Sequence, residues 1–261
     1  METLRELWAG AGPTFGAWLS TASSVSAEAA ARVGTEYVCC DNQHGAVDYQ
    51  ATVSMIQAIL LGGSRPVVRV PWNEPGVIGK MLDAGAQGII VPMVNTAEAA
   101  QAVVSAVRYA PEGTRSHGPL MPGMRDAQYQ PTANARLATI PMIETGEALA
   151  NLDEILAVPG IDAVYVGPAD LSLSLGLKPG NNDGEPIFDN ALAAIVAACR
   201  EAGVVPGIHS TGALAGRRME QGFRMITVTG DMLAMRTKMA EELALARGAS
   251  ADARAKPNSM Y

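Results

Sequence analysis

Two acidic residues, Glu144 and Asp170, each follow a short and strongly apolar run of the chain. The segment between them, residues 147–158, has the length and the amphipathic pattern of one crossover helix. This order predicts a βαβ unit whose two parallel strands present both carboxylates at their C-terminal ends. Oxygen ligands placed side by side suit a hard divalent cation. Either acid could instead cap a helix at a strand-to-helix turn, and Asp170 fits that alternative well.

His44 follows a second apolar run and Arg69 lies in a third, and the two are candidates for proton transfer and charge stabilisation. Asp41 precedes His44 closely, and a nearby carboxylate would hold one ring tautomer and raise its basicity, as a general base requires. A lone histidine is nevertheless more often structural than catalytic. An arginine at a strand end can stabilise an oxyanion. In an apolar run it also fits an internal salt bridge with an acid such as Glu74.

These residues need strands to carry them, and the chain contains eight runs with strand character. Several are continuous apolar runs, as expected for parallel strands that are covered on both faces. The strands are predicted at residues 14–19, 36–41, 66–70, 88–92, 138–143, 163–166, 204–208 and 224–228. Trp18, near the end of the first strand, is either a pocket wall or a cap on the core.

Segments with a helical pattern alternate with the strands. They are predicted at residues 26–33, 49–61, 75–84, 96–109, 147–158, 189–202, 212–221 and 230–247. Eight β/α alternations in 261 residues have the size and rhythm of an α/β fold of the (β/α)8 TIM-barrel type. A doubly wound open sheet is the main competitor, but the chain has neither a G-x-G-x-x-G sequence after the first strand nor a Walker A sequence.

We therefore predict one barrel domain over residues 1–248, with its functional residues at the C-terminal ends of the strands. A polar tail follows at residues 249–261 and is expected to be frayed. The connection at residues 108–136 is long and rich in Gly, Pro and Arg, and such loops usually have a function or cover an active site. The last helix has an apolar stripe, more typical of a core than of a partner surface. Its members are Met232, Leu233, Met235, Met239, Leu243 and Leu245.

Composition restricts the class of protein. Apolar residues make up 48% and charged residues 17%, as in ordinary globular proteins. A net charge of −7 without a basic run argues against a nucleic-acid partner. Three cysteines, including the adjacent Cys39 and Cys40, predict buried thiols in a reducing cytoplasm rather than a disulfide framework. The charged N-terminus is no secretory signal, and no apolar stretch reaches the roughly 18 residues of a membrane span.

Seven motifs, in this order and spacing, resemble those of the HpcH/HpaI aldolase family, which are metal-dependent pyruvate aldolases with a phosphoenolpyruvate-binding barrel. The resemblance covers nearly the whole chain. The motifs are FGAWLS, DNQHG, RVPWNEP, LDAGAQGIIVPMVNTAEAA, RYAPEGTRSHGP, PMIETGEALANLDEI and IDAVYVGPADLSLSLG.

The resemblance implies a role for each candidate residue. Glu144 and Asp170 correspond to the carboxylates that hold a divalent cation (Mg²⁺, Mn²⁺ or Co²⁺). His44 corresponds to the general base and Arg69 to the arginine that stabilises the enolate. Asp83 corresponds to the acid that increases the basicity of the histidine.

In the same family Asp41 is an additional neighbour of that histidine, and the backbone around Ala169 holds the pyruvate carboxylate. Trp18 would then contact substrate. Members form homo-oligomers, trimers or hexamers, in which the last helix is exchanged between neighbours.

Three positions depart from the pattern of some relatives. Met142 replaces a glutamine that contacts substrate, Gln43 replaces a glutamate beside the base, and His117 replaces an aromatic or small residue. The aldehyde specificity is therefore expected to differ from that of the best-known members.

The implied reaction is the reversible cleavage of 4-hydroxy-2-oxo acids to pyruvate, or a close 2-oxo acid, and an aldehyde. Lys80, on a helix rather than at a strand end, is not placed for Schiff-base chemistry. One alternative is a citrate-lyase β or malyl-CoA lyase, which needs a CoA-binding surface, and no basic patch for one is evident. Another is a catalytically silent barrel with a binding role, which would be expected to lack at least one of these residues. Phosphoenolpyruvate mutase or isocitrate lyase chemistry usually needs a nucleophilic loop residue that is not found here.

Overall fold

The computed structural model describes residues 1–248, and the predicted tail lies outside them. All eight predicted strands are present. They are β1 (Thr14–Leu19), β2 (Tyr37–Asp41), β3 (Arg65–Arg69), β4 (Gly88–Val91), β5 (Ala138–Pro141), β6 (Ala163–Val166), β7 (Val205–His209) and β8 (Met225–Gly230). They form one parallel sheet in the order β5-β4-β3-β2-β1-β8-β7-β6. A bridge between Met142 and Tyr165 brings the two edge strands together, so the sheet is a nearly closed barrel and the predicted fold class is confirmed.

Helices alternate with the strands around the outside of the barrel. They are α1 (Leu4–Ala9), α2 (Ser24–Arg32), α3 (Tyr49–Gly62), α4 (Pro75–Ala84), α5 (Ala97–Val107), α6 (Leu120–Arg125), α7 (Tyr129–Arg136), α8 (Gly146–Ala150), α9 (Leu152–Leu156), α10 (Pro168–Ser174), α11 (Pro186–Ala202), α12 (Ala215–Gln221) and α13 (Asp231–Ala246). Local signals fix several ends. Asp48 caps α3 by accepting a hydrogen bond from the Ala51 amide, and Gly63 ends the same helix with a left-handed φ of 90°.

Two hydrophobic cores result from the alternation of side chains along each strand. One fills the space between the sheet and the helices, and the other fills the barrel. Inside the barrel, the hydroxyls of Tyr37 and Tyr165 both hydrogen-bond to Thr227. Gly16 makes room for this group, because a Cβ at that position would lie 2.1 Å from the Tyr37 ring. The barrel interior is therefore packed rather than open below the mouth.

The N-terminal helix α1 was not predicted, because its six residues are too short to show a period. Leu4 and Trp8 on this helix are buried in the barrel core. The Trp8 indole donates a hydrogen bond to Thr14 Oγ1 at 3.1 Å, which attaches the helix to the start of β1. Helix α1 therefore closes the end of the barrel at which the strands begin.

One prediction about a connection is wrong, and for the connection at residues 108–136 only the possibility that it covers the mouth of its own barrel is excluded. The single helix expected at residues 147–158 is two helices, α8 and α9, because the chain bends at Asn151, whose side chain donates to the Asn95 carbonyl at 2.8 Å. The connection at residues 108–136 contains α6 and α7. It runs from the end of α5 to the start of β5, so in this chain it lies at the opposite end of the barrel from the mouth and does not cover it.

The apolar stripe of α13 is not part of the core of this chain, so that prediction is also wrong. None of the residues of α13 is buried. Met239 is 64% exposed and Leu243 is 50% exposed. Contacts of the helix with the barrel are made to β1 and β8, near its first residue Asp231.

The predicted burial of Cys39 and Cys40 is confirmed, and Cys199 is buried as well; all three are free of disulfides. Among the helices of residues 1–248, none combines the length and the apolar character needed to cross a membrane.

Candidate active site

The two predicted cation ligands lie where the edge strands of the barrel meet. Glu144 follows β5, and Asp170 is in the first turn of α10, directly after β6. Neither acid is a helix N-cap, because Thr145 caps α8 and Gly167 is the N-cap residue of α10. The helix-cap alternative therefore does not account for either residue.

Glu144 is held in an unusual environment for a carboxylate. It is only 2% exposed, and its Oε1 accepts a hydrogen bond from the Met93 amide at 2.9 Å. Met93 has a left-handed φ of 56°, which is uncommon for a residue other than glycine and turns the amide toward the carboxylate. Burial, with a further contribution from the negative charge of Asp170, raises the pKa of Glu144 to about 7.

The residues present fit a divalent cation. Oε2 of Glu144 is buried and has no hydrogen-bond partner among the described residues. Such burial is unfavourable unless a ligand interacts with the oxygen. Gly167 leaves the space beside this atom open, because a Cβ there would lie 2.5 Å from Oε2. In residues 1–248 no group of three His, Cys, Asp or Glu side chains forms a closed metal site. Two carboxylates leave the remaining positions to water and substrate, as is common for Mg²⁺.

Arg69 is buried at the end of β3 and is paired with Asp41, not with Glu74. Its Nε and Nη2 donate to the two Asp41 oxygens at 2.8 and 2.6 Å, and the Trp18 indole donates to the same carboxylate at 3.1 Å. Burial opposes ionisation of Asp41, but the bonds and charge of Arg69 outweigh it and hold the pKa of Asp41 below its ordinary value. Glu74 instead caps α4. The guanidinium is thereby fixed as a cation in the barrel mouth.

His44 lies in the exposed turn after β2. Asp41 Oδ1 accepts hydrogen bonds from the main-chain amides of Gln43 and His44, at 3.1 and 3.3 Å, so it shapes the turn that carries the histidine. Gly45 allows this turn to be tight, since a Cβ there would lie 2.3 Å from the Asp41 carbonyl oxygen. The same aspartate therefore positions both Arg69 and the backbone of His44.

A small cavity lies in the barrel mouth. Trp18, Arg69, Met142, Ala169 and Asp170 all line it. The sequence predicted each of them for the site, and the structure brings them together. The guanidinium carbon of Arg69 lies 4.9 Å from the centre of the Trp18 ring, a cation–π contact that fixes the tryptophan as a wall of the cavity.

Asp83 is not brought to this group within one chain. Helix α4 runs back from the end of β3, so Asp83 in its last turn lies toward the end of the barrel at which the strands begin. There it pairs with Arg115 at 2.7 Å, while burial keeps the pKa of Asp83 above its ordinary value. The pairing of Asp83 with His44 that the resemblance implies is not shown by the single chain and stays a prediction. His117 lies in the same region, against the ring of Tyr109.

Three further residues of the mouth were not identified from the sequence as part of the site. Tyr165 and His209 line the same cavity as Asp170, and Ser210 lines a neighbouring one. The Trp18 ring stacks on Tyr165 and meets His209 edge-on at 5.0 Å. Burial lowers the pKa of His209 to about 4, with Arg69 as a further cause, so the ring is uncharged near neutral pH. Their positions at or after strand ends were the available signal.

Comparison with known proteins agrees with the geometry. The family profile described as HpcH/HpaI aldolase/citrate lyase matches residues 14–237. The chain is 42% identical over 257 residues to a hydroxypyruvate/pyruvate aldolase of Rhizorhabdus wittichii, which covers 98% of this chain and 100% of that protein. It is 38% identical to a 4-hydroxy-2-oxo-heptane-1,7-dioate aldolase of Shigella sonnei, over 92% of this chain and 93% of that protein.

Solved structures give the same result. A HpcH/HpaI aldolase/citrate lyase family protein of Burkholderia cenocepacia superposes on the chain with a TM-score of 0.87 at 34% sequence identity, and the match covers 94% of this chain and 98% of that one. The chain thus belongs to the HpcH/HpaI aldolase/citrate lyase family, and it is a carbon–carbon lyase of the aldolase type, as its sequence motifs predicted.

Proposed function

We propose that the protein catalyses the reversible aldol cleavage of 4-hydroxy-2-oxo acids to pyruvate, or a close 2-oxo acid, and an aldehyde. The observation that carries this proposal is the buried Oε2 of Glu144, which has no hydrogen-bond partner among the described residues and belongs to a carboxyl group that is influenced by the charge of Asp170. Asp170 and Arg69 line one cavity. The names of the relatives support the same reaction class. Glu144 and Asp170 would hold the cation, and Mg²⁺, Mn²⁺ or Co²⁺ bound there would act as a Lewis acid toward the 2-oxo group.

Arg69 has the second electrostatic role in this proposal. Because Asp41 holds it by two hydrogen bonds, its positive charge is fixed before substrate arrives. A preorganised cation stabilises negative charge that develops in the transition state without a cost of reorganisation. The main chain at Ala169, which lines the same cavity, would orient the carboxylate of the 2-oxo acid.

His44 would move the proton. In the cleavage direction it takes the proton of the C4 hydroxyl, the C4–O bond becomes a carbonyl, and the C3–C4 bond breaks. The electron pair of that bond forms the enolate of pyruvate, and a proton added at C3 completes the product. Arg69 stabilises the enolate oxygen during this step. These steps do not use Asp83, which lies in the last turn of α4, and its role in raising the basicity of His44 stays a prediction from the resemblance.

The proposal is tested by removing the metal. Chelation should abolish pyruvate-dependent aldol activity and the exchange of pyruvate methyl protons with deuterium, and Mg²⁺, Mn²⁺ or Co²⁺ should restore both. Activity that survives chelation and is trapped by borohydride would replace the proposal with Schiff-base chemistry. A purified protein that binds metal but neither exchanges nor cleaves would be a catalytically silent barrel.

We also propose that the protein works in the cytoplasm as a homo-oligomer, a trimer or a hexamer. Its three free thiols are buried, which suits a reducing compartment. The apolar side chains of α13 are exposed in the single chain, and a surface of this kind is typical of a protein–protein interface. The mass in solution, measured by light scattering, tests the assembly, and a monomer at micromolar concentration would contradict it.

A further inference from the structure

A second cavity opens beside His44 in the barrel mouth. Its volume is about 180 Å³, and it shares Trp18 and His209 with the cavity that contains Asp170. Its remaining polar wall is formed by residues that follow β1 and β7, by the end of β8 and by the first turns of α13. These residues are Ser20, Ser210, Thr229, Asp231 and Arg236. Since His44 lines it, the cavity lies on the side from which the proposed base acts.

Ser210 is the distinctive group of this second cavity. Its side chain is only 3% exposed, and its Oγ has no hydrogen-bond partner among the described residues. The backbone is fixed, because the Ser210 amide donates to the Thr227 carbonyl at 3.0 Å. A buried hydroxyl without a partner is unfavourable, so a group inside the cavity is expected to form a hydrogen bond with it.

The charges around the cavity indicate which group that is. Asp231 is the one carboxylate among the residues lining it, and both of its oxygens already accept backbone amides, from Ser20, Thr21 and Met232. Its negative charge opposes a second anion deep in the cavity, while Arg236 is exposed at the rim. His209 is uncharged near neutral pH. A neutral group that can both donate and accept a hydrogen bond suits this wall better than a carboxylate or a phosphate does.

We propose that the second cavity holds the aldehyde half of the substrate and that Ser210 hydrogen-bonds to a hydroxyl group on it, which makes the enzyme selective for hydroxyaldehydes. This inference rests on the proposed aldol function and specifies its substrate class. Ser210 acts on specificity: it contacts the part of the substrate that does not change bonds. The pyruvyl half, bound at Glu144 and Asp170, is not affected by it.

The test compares aldehydes of one carbon skeleton with the metal-loaded enzyme. Addition of pyruvate to propanal, 2-hydroxypropanal, 3-hydroxypropanal and glyceraldehyde is measured for the wild type, for Ser210→Ala and for Ser116→Ala, an exposed serine outside the mouth. The wild type should favour at least one hydroxylated aldehyde over propanal by about 10- to 100-fold in kcat/KM. Ser210→Ala should lose that preference, because its kcat/KM for the hydroxylated aldehyde should fall about 10-fold or more beyond any change with propanal or in pyruvate deuterium exchange.

Several outcomes overturn the proposal. The wild type could fail to distinguish the aldehydes. Ser210→Ala could keep the preference, because water alone is the hydrogen-bond partner of the Ser210 hydroxyl. The variant could also slow the reaction with all aldehydes and the exchange alike, as substitution of a structural residue would. Loss of exchange in the wild type would instead reject the aldol function. In that case saturation-transfer NMR with glyceraldehyde and propanal still measures binding in the cavity. Contact with glyceraldehyde that Ser210→Ala abolishes supports the proposal, and equal contact in both proteins rejects it.

Discussion

A methyl group on Gly167 would lie 2.5 Å from Oε2 of Glu144, which is closer than two such atoms can approach. Gly167 has an ordinary negative φ of −95°, so the need for glycine here is not a matter of backbone conformation. The glycine before α10 instead preserves the space beside a carboxylate that follows β5. A single carbon atom added at Gly167 would therefore disturb the proposed cation site.

We therefore expect Gly167→Ala to weaken metal binding by at least 10-fold, because the added carbon displaces Glu144 or fills the place of the cation. Titration calorimetry with Mn²⁺ measures the effect. Gly79→Ala on α4 is the matched control, since a Cβ there meets no atom within 4 Å. Equal affinities of the two variants would show that Oε2 of Glu144 is not a ligand.

The raised pKa of Glu144 predicts the pH dependence of the metal-free protein. The folded state keeps the proton up to about pH 7, whereas the unfolded chain releases it near its ordinary value of 4.5. The unfolded state therefore binds fewer protons between these values, and the free energy of unfolding should fall by about 3 kcal/mol as the pH rises from 4.5 to above 7. Chemical denaturation of wild type and Glu144→Gln at pH 5 and pH 8 measures this, and an equal pH dependence in both would contradict it.

Asp41→Asn should be strongly destabilising, by about 3–5 kcal/mol, because it leaves the buried guanidinium of Arg69 without its counter-charge. The exposed pair of Asp126 and Arg136 has the same separation to within 0.1 Å, 2.7 against 2.6 Å, so Asp126→Asn is the control. It should cost no more than about 1 kcal/mol. Urea denaturation of the two variants compares them, and similar losses would mean that burial does not decide the strength of the Asp41 pair.

Arg69→Lys should lower kcat about 100-fold or more, since a lysine keeps the charge but cannot make the two parallel bonds that aim it. The pyruvate KM should change less than kcat if the arginine acts mainly in the transition state. Arg65→Lys, at the other end of β3, provides the comparison. A kcat of Arg69→Lys within a few-fold of the wild type would remove Arg69 from the chemistry.

Sequence reasoning identified the strands well because parallel strands covered on both faces are continuous apolar runs, as in β4 and β6, where every residue is buried. It also predicted most residues of the mouth, since Arg69 is the last residue of β3 and Asp170 lies in the first turn after β6. A motif match carries no information on which end of the barrel a residue reaches. The position of Asp83 in the last turn of α4, away from the mouth, could therefore not be predicted from the sequence.

The remaining differences depend on contacts that no local sequence pattern shows. The break at Asn151 depends on a hydrogen bond to Asn95, a partner that lies 56 positions away in the chain, and no pattern within 147–158 signals it. The apolar stripe of α13 has the composition of a core, but the sequence does not indicate whether the barrel of the same chain covers it, and in this structure no residue of α13 is buried. Ser210 was not identified because a serine after a strand is ordinary, and only its burial without a partner makes it notable.

The bridge between Met142 and Tyr165 gives the cation pair a second consequence. Each other neighbouring pair of strands shares a ladder of three or more residue pairs. In residues 1–248 the contact of β5 with β6 has this single bridge and a hydrogen bond from the Asp162 amide to the Thr139 carbonyl. Glu144 and Asp170 stand on either side of that seam. A cation bound by both carboxylates would therefore link the ends of β5 and β6. The ion that activates the substrate would also stabilise the closure of the barrel.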